Sequence, residues 1–510
     1  MMNKRLYLII MVLLTGLGVQ AQQIVYSEAE KDDSHRINFE VIGKMGNNFL
    51  IYKSNRSRHW VSVLDNEMLP VAKKNFDFLP NGDRVINVDI VPYPSFFYVI
   101  YQYQRKGIVY CEAARLNEVG DKIGDVMLLD TTRIGYNADN KIYTTVTSED
   151  KSKILLYKIN SKDKKLFRLT TRLLDDNLQT LQLSRLTVPM EERDYYLGEF
   201  TVDNDGDLFF ARFNRLSNES ISKVDLIQKP AMEETLIERQ VNIEGIYLDD
   251  IKAKADNVNK RLVLVSFYNK TKRGNIEGYY LYVWDKKSGQ VIREKALAFS
   301  EALRKEAKGN TSIKAAFDDN FIKNIILKGD GGFIIASEAA YTSSRGGGAW
   351  NRWNYWGSPF MRPFDYYYYS PYYYNSYWGG MNRWGNNNDN VRYQADNITI
   401  SSFDSQGNNE WNNVITKEQF NDQSDNLLSY QLFITGGQLH FLFNTLETKA
   451  QLLSDFTVSP EGEMKRNPTL KNLDRGREFM PRYGKQVGRN QMIIPCLYRN
   501  YICFAKVDFN

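Results

Sequence analysis

The sequence predicts an all-β protein, a β-propeller, and three observations carry that reading. Apolar strand cores recur about every fifty residues once one long insertion is set aside, which is the period of a four-stranded propeller blade. Each core is followed by a second strand and then a polar turn carrying Asp, Asn or Gly, residues that tolerate the backbone geometry of tight turns. The 510-residue chain holds 33 Tyr and 27 Phe but few heptads of helical type, a balance that favours strands.

Taken in order, residues 1–21 read as a signal peptide. Lys4 and Arg5 precede an apolar run from Leu6 to Leu14, and Val19-Gln20-Ala21 offers small residues at the two positions a signal peptidase reads, so cleavage is expected after Ala21. The run is too short to span a bilayer, and no cysteine stands at the cleavage point to take a lipid. No other stretch of about eighteen apolar residues exists, so the mature chain is expected to lack a transmembrane segment. Residues 22–510 are then a single propeller domain in the periplasm, with outer-membrane association as part of the same expectation.

The strand cores lie at Phe49 to Tyr52, Phe96 to Tyr101, Ile154 to Tyr157, Leu208 to Phe213, Leu262 to Phe267, Phe333 to Ala336, Leu439 to Phe443 and Met492 to Leu497. Eight such units fit between Ile37 and the C-terminus, so eight blades are expected, with seven as the second count. A stack of β-sandwiches or an open solenoid is the rival architecture. The last unit, with strands near Tyr483 to Val487, Gln491 to Tyr498 and Tyr501 to Phe509, lacks an outer strand. Gln23 to Ser27 is expected to supply it, closing the ring and removing exposed strand edges.

The turns are explicit: Leu64-Asp65-Asn66, Asn117-Glu118-Val119-Gly120, Trp284-Asp285 through Gly289, Phe403-Asp404 through Gly407, and Ser459-Pro460-Glu461-Gly462. Trp284-Asp285-x-x-x-Gly289 and Phe403-Asp404-x-x-Gly407-x-x-x-Trp411 resemble the outer-hairpin turn of quinoprotein-like and sensor-type propeller repeats. That resemblance implies the fold and carries over no cofactor residue. A signal peptide ending Ala-Gln is similar to those of exported Bacteroidota proteins, among which uncharacterised propellers occur. No C-terminal sorting domain is recognisable; the chain ends in what reads as a blade strand.

Two segments break the pattern. Ser300 to Gly309 has a Ser cap, good helix formers and a terminal glycine, and is expected as a helix decorating the space between blades. Residues 343–392 form a Tyr/Trp/Gly/Asn-rich low-complexity insertion in a blade hairpin, with almost no aliphatic residue to build a core. Its rings are Trp350, Trp353, Trp356, Tyr366, Tyr367, Tyr368, Tyr369, Tyr372, Tyr373, Tyr374, Trp378 and Trp384, accompanied by Arg345, Arg352, Arg362, Arg383 and Arg392. Such rings give large contact area with a polar handle, so they are the candidates for binding a protein partner or stacking on a glycan. A loop with no specific ligand is the alternative.

Chemistry is thin by comparison. The formal charge is +5, or +3 without Lys4 and Arg5, and the cations are dispersed, which argues against a nucleic-acid groove. His35, His59 and His440 fall in different units, so neither a metal site nor a Ser/His/Asp arrangement is expected, and no cofactor is implied. Asp203-Asn204-Asp205-Gly206-Asp207 has alternating carboxylates, but its glycine comes too early for a calcium loop, and it reads as a turn. Glu191-Glu192-Arg193-Asp194 reads as a solvated loop, with carboxylates that could serve glycoside hydrolysis if they faced a cleft. Cys496 and Cys503 flank a two-residue turn at Arg499-Asn500 and would face each other, a candidate disulfide beside the solitary Cys111. The functional expectation is a non-enzymatic scaffold binding a protein partner of an envelope complex. The alternative is a carbohydrate-binding or carbohydrate-cleaving propeller, and a sensor domain is a third class.

Overall fold

The computed structural model describes residues 23–509 except 35–36, 136, 139–140, 164, 191–194, 216–219, 273, 310–315, 318, 345–367, 370–390, 423, 448–449 and 469–475. The described chain is nearly all β, a propeller-type arrangement of small antiparallel sheets. The signal-peptide reading, with Ala21, lies outside the described residues. Of the insertion's candidate rings, only the backbone of Tyr368 and Tyr369 lies within them.

After Gln23–Tyr26 (β1), each unit is a meander in which sequence neighbours pair. The first unit is Asn38–Met45 (β2), Asn48–Asn55 (β3), Arg58–Leu64 (β4) and Pro70–Asn75 (β5). The second is Arg84–Pro92 (β6), Phe96–Arg105 (β7), Ile108–Asn117 (β8) and Lys122–Arg133 (β9). The third is Thr144–Thr147 (β10), Lys153–Asn160 (β11), Leu166–Asp175 (β12) and Thr180–Pro189 (β13). The fourth (Tyr195–Val202, β14; Leu208–Arg215, β15; Ile221–Lys229, β16; Ile237–Val241, β17) is joined to the fifth by the single pair Ile221 and Leu248. That fifth unit is Tyr247–Asp256 (β18), Arg261–Asn269 (β19), Gly278–Asp285 (β20) and Val291–Ala298 (β21).

A helix, Glu301–Lys308 (α1), follows, its N-terminus capped by the Ser300 side chain accepting from the Leu303 amide. The sixth unit is Asn320–Leu327 (β22), Phe333–Ser344 (β23), Val391–Phe403 (β25) and Asn409–Ile415 (β26), with Tyr368–Tyr369 (β24) between its middle strands in sequence and Phe420–Asn421 (β27) at its edge. The seventh is Tyr430–Thr435 (β28), Gln438–Glu447 (β29), Ala450–Val458 (β30) and Met464–Arg466 (β31). The last combines Arg477–Phe479 (β32), Lys485–Gly488 (β33), Gln491–Tyr498 (β34) and Tyr501–Asp508 (β35), and β1 pairs antiparallel with β35 from Gln23 opposite Asp508 to Tyr26 opposite Ala505.

The core is divided, and the division shows how the units meet. Among the described residues there are eight buried apolar clusters. Each joins two consecutive units: Tyr52 and Val61 pack with Val99 and Tyr101, Tyr98 with Ile154, Tyr157 with Phe210, and Ala211 with Tyr282. The series continues as Phe267 with Ile335, Ile400 with Phe441, and Phe433 with Met492. The remaining cluster unites Phe39, Ile51 and Trp60 of the first unit with Met480, Ile493 and Phe504 of the last. A strand apolar on both faces is what this sandwiching requires, so Phe49–Tyr52 reads as a continuous apolar run rather than an alternation.

Because strands alternate in direction, each unit has two unlike ends. First-to-second and third-to-fourth turns lie at one end and are short. Second-to-third turns and unit-to-unit connections lie at the other, where α1 and the connections 76–83 and 416–422 are found. We call these the short-turn and long-loop ends.

Candidate functional site

The first strands of several units present charged side chains along one inner edge. Glu40 on β2 is half-buried and has no direct hydrogen-bond or ion-pair partner among the described residues; burial pushes its carboxyl up to about 7, against the pull of Lys485, with Asp89 adding to the rise. Asp89 stands on β6 of the next unit, with the Asn87 side-chain amide donating to it at 2.8 Å and the Lys141 ammonium 3.9 Å away. Lys485 on β33 of the last unit donates to the Ile42 carbonyl at 3.1 Å, and burial lowers its ammonium from the ordinary lysine value. Residues from the first, second and last units thus converge at the middle of the inner strands, although they span almost the whole sequence.

The edge continues with alternating signs. Glu199 on β14 accepts from the Ala253 amide at 3.2 Å and lies 3.5 Å from the Lys252 ammonium. Burial raises the Glu199 carboxyl, Lys252 opposing it. Lys323 on β22 is pushed down to about 8, chiefly by burial, with Glu338 3.7 Å away acting in the opposite sense. Glu338 is fully buried and 2.9 Å from the Lys417 ammonium, which also donates to the Ala395 carbonyl.

Glu40 is directly opposite Tyr52 in the β2–β3 register, and the Tyr52 hydroxyl shares a 2.6 Å hydrogen bond with His59 Nδ1. Burial drives the Tyr52 phenol well above its ordinary value and the His59 imidazole down to about 4, so both are neutral near pH 7. His59 lines an open cavity of about 680 Å³ between the first and second units, whose wall also includes Arg56, Arg58, Lys73, Asn75 and Arg84. His440 instead sits buried with Nδ1 3.1 Å from both Asp455 oxygens, in the seventh unit. His35 and residues 191–194 lie outside the described residues.

The 203–207 segment is a turn whose carboxylates are occupied by lysines. Lys286 reaches Asp203 at 2.6 Å and Asp205 and Asp207 at 2.9 Å, and Lys260 reaches Asp205 at 2.8 Å. Hydrogen bonds from Lys260 and Lys286 pull the Asp205 carboxyl down to about 2. No group of three or more His, Cys, Asp or Glu among the described residues is placed to hold a metal ion.

Cys496 and Cys503 are direct partners in the β34–β35 register, both buried thiols with their sulfurs 2.7 Å apart, and Arg499 and Asn500 take positive φ in the turn between them. Cys111 is buried on its own strand. Tyr368–Tyr369 pairs with Ile159–Asn160 of the third unit, so the insertion that leaves the sixth unit meets a distant one. Arg392 holds Asp422 at 2.7 Å at the insertion's foot. No helix among the described residues is long and apolar enough to cross a membrane.

No family model matches the chain, and no curated protein matches it. Solved structures of similar shape include prolyl oligopeptidase B from Galerina marginata, with a TM-score of 0.41 at 10% identity over 91% of this chain and 55% of that one. They also include an ulvan lyase, described as a new family of polysaccharide lyase, with a TM-score of 0.36 at 11% identity over 81% of this chain and 90% of that one. A puromycin hydrolase gives 0.38 at 8% identity over 92% of this chain and 61% of that one. The chain spans little more than half the length of the prolyl oligopeptidase. The expectation of a non-enzymatic scaffold for an envelope complex is corrected by this finding, because the similar structures are enzymes. Their likeness concerns the fold and transfers no residue or activity. A single sequence does not reveal this cluster, because charged residues on first strands look like ordinary solvent-facing positions until the units are brought together.

Proposed function

We propose that the chain is a closed eight-bladed propeller that acts on carbohydrate at its axis, with Glu40 as the proton donor. Eight clusters between consecutive units, the last uniting the final unit with the first, support closure, as does the pairing of β1 with β35. The observation that carries the activity is Glu40 itself, an unpaired carboxyl on the inner edge with Asp89 on the neighbouring strand.

Glycosidic bonds are broken by two carboxyl groups in different environments, one kept protonated and one ionised. A carboxyl held near 7 retains its proton close to neutral pH and donates it to the leaving oxygen. Asp89, facing Lys141 and the Asn87 amide, supplies the second carboxylate, activating water or attacking the sugar directly. The signal-like residues 1–21 support an exported protein whose substrate is a cell-wall or dietary polysaccharide. Incubating the purified protein with such polysaccharides and measuring new reducing ends tests the reading: Glu40→Gln is expected to abolish their release. Retention on a polysaccharide without cleavage would leave the binding half of the alternative and remove the catalytic half. The cross-strand position of Cys496 and Cys503 supports a disulfide formed on oxidation in that compartment.

A further inference from the structure

We propose that the cavity between the first and second units is a subsite for an acidic sugar, a uronate residue of the polysaccharide; this rests on the carbohydrate reading above. The β3–β4 turn places Arg56 and Arg58 at one side of the cavity, and Lys73 on the outer strand and Arg84 at the start of β6 complete four cations around it. Three carboxylates also line it, but two are already engaged within the protein. Asp32 lies between Lys73 at 2.7 Å and Arg58 at 3.5 Å, and Lys73 hydrogen bonding holds its carboxyl below the usual range. Asp83 is held at 2.6 Å by Arg105, which is not part of the cavity wall. Arg56 has no partner among the described residues, is exposed, and carries a fork of donors suited to a carboxylate.

The neutral groups fit the rest of such a ligand. Ser57, Asn75 and Asn81 are exposed on the wall and offer donors and acceptors to sugar hydroxyls. The interspersed carboxylates Asp32 and Asp77 oppose a densely charged polyphosphate, while a polyol bearing one carboxylate per ring is matched by cations set among hydroxyl-binding groups. One wall residue, His59, bonds the hydroxyl of the buried Tyr52, which stands opposite Glu40 in the β2–β3 register.

The test is calorimetric titration of the whole protein with oligogalacturonate and with the same oligomer after reduction of its carboxyl groups. The acidic oligomer is expected to bind at least about tenfold more tightly, to weaken as salt rises, and to lose its advantage in Arg56→Ala/Arg58→Ala. Both arginines are exposed, so that variant is expected to melt with the wild type. Glu40→Gln, used as a cleavage-blocked control, is expected to keep the preference. Equal affinity for the two oligomers, or a preference that survives loss of both arginines, overturns the subsite. Selective binding with no cleavage of any acidic polymer instead removes the catalytic reading and leaves the subsite standing.

Discussion

At the short-turn end, many polar side chains serve their own turns, whereas at the long-loop end they reach into other units. Asp65 accepts the amides of Glu67 and Leu69, Asn117 those of Val119 and Asp121, Asp175 those of Asn177 and Gln179, and Asp404 those of Gln406 and Asn408. At the other end Gln102 binds the backbone of residues 142 and 143, Gln419 donates to the Asn444 carbonyl, and Asn444 donates to the Phe479 carbonyl. Turns at one end are thus shaped largely by residues two to four positions apart, with the Lys286 cluster and Trp411 bridging units there, and the other end is set by residues from separate units. The cavity belongs to the second end, while Glu40 and Lys323 lie midway along the inner strands. A scaffold whose turns hold themselves leaves the opposite end available for chemistry.

The largest expected effect sharpens the functional half of that contrast: Glu40→Gln should lower polysaccharide cleavage by about a hundredfold or more, read as initial rates of reducing-end release. Next is the ion cluster at the short-turn end. Lys286→Met leaves Asp203 and Asp207 facing one another without their shared ammonium, and should destabilise the fold by about 2–3 kcal/mol in denaturant unfolding. If that variant unfolds like the wild type, the short-turn end is not held as described.

Gly462→Ala should cost about 1–3 kcal/mol by the same measurement. Gly462 has a φ of 88°, and a Cβ there would lie 2.7 Å from the Trp411 ring of the preceding unit. Trp411 donates to the Pro460 carbonyl at 3.0 Å, so this turn also sets the spacing between units. The smallest effect is on pH dependence. Glu40 has a folded-state value near 7 against 4.5 ordinarily, so its contribution to stability is present below about 4.5 and lost as pH rises through about 7. Glu40→Gln should flatten that slope in melts taken across the window, and an unchanged slope would assign it to another group.

The local end was the more legible in sequence. Asn-x-x-Gly, Asp-x-x-Gly and Ser-x-x-Gly patterns announced turns, and Gly120, Gly407 and Gly462 do take positive φ. Met68 and Leu178 occupy the same left-handed position without being glycine, so the Asp175 turn carried no glycine signal to read. The helix was legible because its cap, length and stop are local, and Leu303 and Ala307 bury its apolar side between the fifth and sixth units. The site was not legible. Glu40 lies in Asn-Phe-Glu-Val-Ile, an ordinary strand alternation, and its neighbours Asp89 and Lys485 are assembled only by packing between units. His59 resembled a scattered structural histidine, and nothing in the sequence linked it to Tyr52, seven residues away across a turn.

The most direct test is the pH–rate profile of polysaccharide cleavage by the wild type and by Glu40→Gln. The account predicts a wild-type rate that falls as pH rises through about 7, as the Glu40 carboxyl loses its proton, and a variant with almost no activity at any pH. A variant that cleaves as fast as the wild type, with the same profile, would contradict it.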